Sequence, residues 1–236
     1  MSVLLGVMKF ALLPVFAALL GGVIAAYRVP GDRTRSLLQH FAAGVVFAAV
    51  AGELLPEITR THQPLGVVLG FALGVAVMLG VKQFTTRLEG RGVGSVGLLT
   101  TVGIDIFIDG LLIGVGFAAG ARVGVLLTVA LTLELLFLGL SVAASLGRSG
   151  TPRARVIGTV AALTLCVLLG AALGGTLLQG LSGFALEVVL AFGAAALLYL
   201  VTEELLTEAH EVQETPLITS AFFAGFVALY LIELST

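Results

Sequence analysis

Three carboxylates stand in apolar sequence where a carboxylate is costly. Asp105 and Asp109 lie four residues apart in TTVGIDIFIDGLLIGVG, and Glu134 lies in LLTVALTLELLFLGL. If both segments are helical, Asp105 and Asp109 sit one turn apart on one face. Glu134, on an antiparallel neighbour, reaches a similar depth. An acidic side chain at the middle of a bilayer costs about 2.5–3.5 kcal/mol on insertion scales. Two ionised carboxylates on one face also repel, unless a cation or a proton lies between them. The chemistry this set offers is the binding of a cation by hard oxygen ligands. The plainer alternative is a set of protonated acids that hydrogen-bond neighbouring helices. Thr100, Thr101, Thr132 and Ser141 could add hydroxyls, and Gly103 and Gly110 could expose backbone carbonyls or permit a kink.

Other acids mark segment ends. Phe41 to Glu57 reads FAAGVVFAAVAGELLPE, and Phe192 to Glu208 reads FGAAALLYLVTEELLTE. Both are apolar runs that end in E-L-L-x-E at the same distance from the opening Phe. A second echo pairs DIFIDGLLIG, from Asp105, with ELLFLGLSVA, from Glu134. Repeated acid-bearing helices are the signature of a transporter built from repeats. Glu53, Glu57 and Glu233 mark one expected mouth. Glu203, Glu204, Glu208 and His210 mark the other, as groups that attract a cation or receive it.

The elements that must hold these residues follow from composition. The chain has 236 residues, of which 58% are hydrophobic and 11% charged, with a mean hydropathy of +1.15. A soluble domain carries about 25% charged residues, so the reading is an all-α, polytopic membrane protein. Eight segments are long enough to cross a bilayer: Val3–Tyr27, Leu37–Leu55, Leu65–Val81, Val93–Ala119, Val123–Leu146, Val156–Leu178, Phe184–Leu206 and Leu217–Leu234. Breaks are expected at Val29-Pro30-Gly31-Asp32, Pro64, Gly90-Arg91-Gly92, Gly120, Gly150-Thr151-Pro152 and Pro216. With no linker, residues 1–236 form a single membrane domain. The first segment is too long for a signal-peptide core, so a retained helix is expected. Nucleic-acid binding is excluded, since the basic residues sit in short loops rather than on one face.

Orientation follows the Lys and Arg counts of the loops. The first holds Arg28, Arg33 and Arg35; the third Lys82, Arg87 and Arg91; the fifth Arg148, Arg153 and Arg155. The second and fourth hold only Arg60 and Arg122, and the sixth holds none. Odd loops are therefore expected in the cytoplasm and both termini outside, in a cell membrane of prokaryotic type. The seventh loop departs from the pattern, with Glu208, Glu211 and Glu214, but acids contribute little to orientation. The two E-L-L-x-E helices then run in opposite directions, which predicts a 3+2+3 inverted-repeat layout with helices 1–3 mirroring 6–8. Gly66, Gly70 and Gly74 form a double G-x-x-x-G ridge suited to close helix contact, within the chain or across a homodimer. Cys166 stands alone in an apolar run, which excludes an intrachain disulfide and suits a small buried hydrophobe. His40 suits packing at a hydrated helix end.

At these residues the chain resembles the ZIP (Zrt/Irt-like protein) family of divalent-metal transporters over nearly its whole length. The likeness rests on eight spans, AAGVVFAAVAGELLPE in the second, DIFIDGLLIG in the fourth and LLYLVTEELLTEAHE in the seventh. The family's fourth helix typically reads H-N-x-x-D/E-G; here Asp105 stands at the His, Ile106 at the Asn, and Asp109-Gly110 match. The family's fifth helix typically reads H/Q-E/N-x-P-E-G. Aligned on Gly139, Glu134 takes the first position, Leu135 the second, Phe137 the proline and Leu138 the glutamate. In the sixth helix Val167-Leu168 replace the usual Glu-Pro before Leu169-Gly170-Ala171. The resemblance implies a carrier of a divalent cation toward the cytoplasm, not an enzyme, with no cofactor beyond its cargo. Helices 1, 4, 5 and 6 would move against a scaffold of 2, 3, 7 and 8. Asp105, Asp109 and Glu134 would bind the ion; Glu53 and Glu233 would gather it; Glu203, Glu204 and His210 would release it. Ile106, Leu135, Leu138 and Val167 cannot ligate, which argues against the family's two-metal site. The loss of imidazole shifts the preference from Zn²⁺ toward Mn²⁺, Fe²⁺, Mg²⁺ or Ca²⁺. The alternative is a ZIP-fold protein that has lost metal transport and moves another solute or acts as a sensor. An intramembrane protease is disfavoured, because its two aspartates would come from different helices and no serine or zinc protease motif is present.

Overall fold

Uninterrupted apolar runs with intrahelical hydrogen bonding are the one open-ended structure a bilayer tolerates, and the computed structural model is built from them. It describes residues 2–89, 95–178, 180–213 and 215–235. Eight helices are long and apolar enough to span a membrane, with no strand among the described residues. They are α1 (Ser2–Tyr27), α2 (Asp32–Arg60), α3 (Pro64–Glu89), α4 (Ser95–Ala119), α5 (Ala121–Arg148), α6 (Arg153–Leu177), α7 (Gly183–Ala209) and α8 (Pro216–Ser235). The expected break at Gly90-Arg91-Gly92, the start of the fourth span at Val93, and Glu214 lie outside the described residues. Pro64 and Pro216 each occupy the first position of a helix, where the missing N–H costs nothing. The α4–α5 connection is Gly120, at φ 156° and ψ 157°, a region open essentially to glycine alone. This link folds α5 back along α4.

α2 and α7 extend beyond their expected ends, and each contains a wider turn at the same place in its sequence. Residues Val50–Leu54 of α2 and Leu200–Leu205 of α7 are π-helical. In α2 the amide of Leu55 bonds the carbonyl of Val50, and in α7 that of Leu206 bonds Val201. The wide turns carry Glu53 in one helix and Glu203 and Glu204 in the other. π-bulges of this kind recur at functional sites because they re-aim side chains.

α1 packs on α5 and α6, α4 on α6 and α5, α2 on α8, and α3 on α7; α2 also meets α5 and α7. The acid-bearing helices α2, α4, α5 and α7 are the most buried, and α1, α3, α6 and α8 turn long apolar faces outward. Glycines set the closest crossings. A Cβ at Gly110 would strike the carbonyl of Val167, and one at Gly170 the carbonyl of Phe107, which closes α4 on α6. Gly139 and Gly21 stand likewise against Ala18 and Leu136, which closes α5 on α1. The Gly66, Gly70 and Gly74 ridge is filled within the chain: it lies against Glu187, Val188, Ala191, Phe192 and Ala195 of α7.

Exposed ion pairs add little to this. Lys82 Nζ lies 2.7 Å from Glu203 Oε2, with both side chains about half exposed. Such pairs are worth about 0–1 kcal/mol. Lys82→Ala should therefore leave the detergent melting temperature within about 2 °C of the parent; a fall of 8 °C or more would assign this pair a structural role.

Candidate metal centre

The helices bring the three mid-membrane acids together. Asp105 and Asp109 project from one face of α4, Glu134 projects from the antiparallel α5, and one ligand oxygen from each lies within 4.8 Å of the others. Asp109 is wholly buried, Glu134 is 3% exposed and Asp105 9%. Among the described residues, neither Asp109 oxygen has a hydrogen-bond partner, nor does Glu134 Oε2. In a packed interior, polar oxygens left without donors cost about 1–3 kcal/mol each, a cost that a bound cation or protons on the carboxyls could relieve. Oxygen ligands of a divalent ion lie at about 2.0–2.6 Å from it. Opposed ligands are then up to about 5 Å apart, and one ion can touch all three carboxylates.

A cavity of about 30 Å³ adjoins the triad, lined by Asp105, Glu134 and Ser141 from α4 and α5 and by Gln39, Glu204 and Glu208 from α2 and α7. It has room for a bare ion or a water molecule or two. Glu208 is held in place by Gln39, whose Nε2 donates to Oε2 at 2.6 Å. Of the residues expected at this mouth, Glu204 and Glu208 thus line the cavity. Glu203 turns away to Lys82, and the His210 ring stands edge-on to His40 at 5.1 Å between centroids. His40 itself is buried, its Nδ1 2.9 Å from the Ser36 carbonyl.

At the opposite end, Glu53, Glu57 and Glu233 gather around Arg122 and Arg60. Arg60 Nη1 lies 2.8 Å from Glu57 Oε2, and Arg122 Nε lies 3.4 Å from Glu53 Oε1.

The helper groups divide. Ser141 lines the cavity, whereas Thr101 and Thr132 donate to carbonyls of their own helices, Gly97 at 3.1 Å and Thr128 at 2.6 Å. Gly110 serves the α4–α6 crossing, and Gly103 faces Leu163 and Cys166 at ordinary packing distance. Ile106, Leu135 and Val167 are buried apolar groups, and Leu138 lines the cavity. No second cluster of three or more His, Cys, Asp or Glu ligands occurs among the described residues.

Sequence reasoning passed over Gln39 and Glu187. Gln39 is a polar residue beside His40 with no spacing signal of its own. Glu187 had one, an acid just inside the apolar run of α7. It is wholly buried, neither oxygen has a hydrogen-bond partner among the described residues, and it borders an apolar groove with Leu55, Ile58, Val67 and Phe71. No known family model matches the chain, and no curated protein matches it.

Proposed function

We propose that the protein is a ZIP-like membrane carrier that moves a divalent metal cation toward the cytoplasm by alternating access. The observation that carries this reading is the triad: three carboxylates converge in the core of an apolar bundle, with buried oxygens that no donor among the described residues satisfies. An ion there would have up to six hard oxygens and no imidazole or thiolate, which favours Mn²⁺, Fe²⁺, Mg²⁺ or Ca²⁺ over Zn²⁺. A single ion fits the donor set, because apolar groups hold the remaining positions of the family's two-metal pattern.

The inverted repeat is supported by the packing. Exchanging α1–α3 for α6–α8 and α4 for α5 carries one set of contacts into another. The α1–α5 crossing becomes α6–α4, and α2–α8 becomes α7–α3. The correspondence extends to single residues. Gly110 on Val167 matches Gly139 on Ala18, Gly170 on Phe107 matches Gly21 on Leu136, and Gly74 on Phe192 matches Gly225 on Phe41. Repeats of this kind let one half take the conformation of the other, which exposes a fixed midplane site alternately to each side. The grouping of α1 with α4, α5 and α6, beside α2, α3, α7 and α8, suits a moving bundle against a scaffold. The distribution of Lys and Arg supports termini on the outside.

The test is a thermal-shift screen of the purified, full-length protein against Mn²⁺, Fe²⁺, Mg²⁺, Ca²⁺ and Zn²⁺. Ligand at about 100 times its Kd should stabilise by about 2.7 kcal/mol, so a rise of several degrees at micromolar concentration is expected for at least one hard cation. No response to any of the five would discard the metal carrier in favour of a ZIP-like fold that moves another solute or acts as a sensor.

A further inference from the structure

Arg122 sits at the start of α5, directly after the Gly120 turn, and reaches across to the other group of helices. Its Nε lies 3.4 Å from Oε1 of Glu53 on α2, and its Nη2 donates to the backbone carbonyl of Glu233 on α8 at 2.9 Å. Glu53 is 93% buried by its 7% exposure, and its Oε1 has no hydrogen bond beyond this ionic contact. Gly52 leaves the room that the Glu233 carboxylate occupies, since a Cβ there would collide with that carboxylate.

The other end is built differently at the matching positions. By the internal repeat, Glu53 corresponds to Glu204, Gly52 to Glu203 and Glu233 to Lys82. There the pair is Lys82 with Glu203, joining α3 to α7 within one helix group. Ser36 on the Ala209 carbonyl and Gln39 on Glu208 likewise join α2 to α7. The cavity opens between the groups at that end. At the Arg122 end the positions that match Leu200 and Ser141 of the lining are Ala49 and Leu112, both buried. Arg122 thus ties the two helix groups together at its end, whereas the Lys82, Ser36 and Gln39 pairs at the cavity end lie within one group.

We propose that Glu53 and the end of α8 at Glu233 form a cation seat that the Arg122 guanidinium fills, latching the outer seam shut until an arriving divalent cation displaces it. This rests on the alternating-access reading above. In the closed form Arg122 stands in for the cargo; a metal ion at Glu53 takes its carboxylate partner, and the α4–α5 turn is released from α2 and α8.

The experiment uses full-length protein carrying Cys166→Ser and the reporter Ala49→Cys, with the rate of labelling by a water-soluble maleimide as readout. In detergent this rate reports seam opening whichever side faces out, and it needs no transport. Labelling should be slow with Arg122 present and about tenfold faster with Arg122→Gln, as a minor open state becomes populated. Arg122→Lys should stay slow. Glu53→Gln should also accelerate labelling, which keeps the latch testable if Arg122→Gln does not fold. Parent-like rates in the Gln variants would overturn the proposal. Micromolar Mn²⁺ should accelerate labelling of the Arg122 protein. Acceleration by the Gln variants without any Mn²⁺ effect would support the latch and remove the cation's part in releasing it. If the thermal-shift screen is also blank, the carrier reading fails separately.

Discussion

Asp109→Asn should remove most of the metal-induced rise in melting temperature without lowering the melting temperature of the metal-free protein. Asparagine keeps the shape of the side chain but removes the charge and one anionic oxygen. In the proposed site each carboxylate would supply a third of the ligand set, and Asp109 is the member wholly sealed from solvent, with both oxygens lacking donors among the described residues. Loss of one ligand from a three-ligand site should weaken binding by about 100-fold or more, at least as much as the loss of groups that only orient a ligand. A stabilisation of about 2.7 kcal/mol at 100 times Kd then falls to about 0.4 kcal/mol. The metal-free protein loses a buried acid that nothing in the fold satisfies, so its stability should hold or rise. The opposite pattern, a large fall in metal-free stability with the metal response intact, would mean that Asp109 hydrogen-bonds the bundle together and the ion binds elsewhere. Both are read in one thermal-shift series with and without metal.

Gly110→Val and Gly139→Val should each cost about 3 kcal/mol or more, and by similar amounts. Each glycine faces a backbone carbonyl of the crossing helix, Val167 for one and Ala18 for the other, closer than any real side-chain carbon would stand. A backbone atom cannot swing aside as a flexible side chain would, so the helices must separate. Overpacking in a close-packed interior costs about 1–3 kcal/mol and occasionally more, and membrane helices depend on close approach for their association. The controls are Gly6→Ala and Gly158→Ala, where nothing lies within 4 Å of the added carbon. There the higher helix propensity of alanine, about 1 kcal/mol over glycine, should make the change neutral or favourable. Thermal and denaturant unfolding in detergent measure all four. A severe loss at Gly110 with a mild one at Gly139 would break the equivalence of the two crossings on which the proposed repeat rests.

The sequence by itself determined the class of fold. Hydropathy alone requires eight long helices, because backbone polar groups in hydrocarbon must be satisfied within each segment. It also singled out Asp105, Asp109 and Glu134, since a charge in an apolar run is costly enough to stand out without any structure. The four-residue spacing placed two of them on one face, and the echo of Phe41–Glu57 in Phe192–Glu208 raised the proposal of a repeat. What the tertiary structure decided is who meets whom. The α4–α5 turn at Gly120 and the glycine crossings set the relative depth of Glu134 and Asp109, and a shift of one turn would have parted them. The wide turns in α2 and α7 aimed Glu204 at the cavity and left Glu203 to Lys82, though the two are adjacent in sequence. Gln39, Glu187 and Arg122 gained their parts only from neighbours distant in the chain. Thr101 and Thr132, plausible ligands by position, bond their own helices instead. Cost is local and can be read from a string of residues; partnership depends on how helices cross, and that is settled by packing in three dimensions.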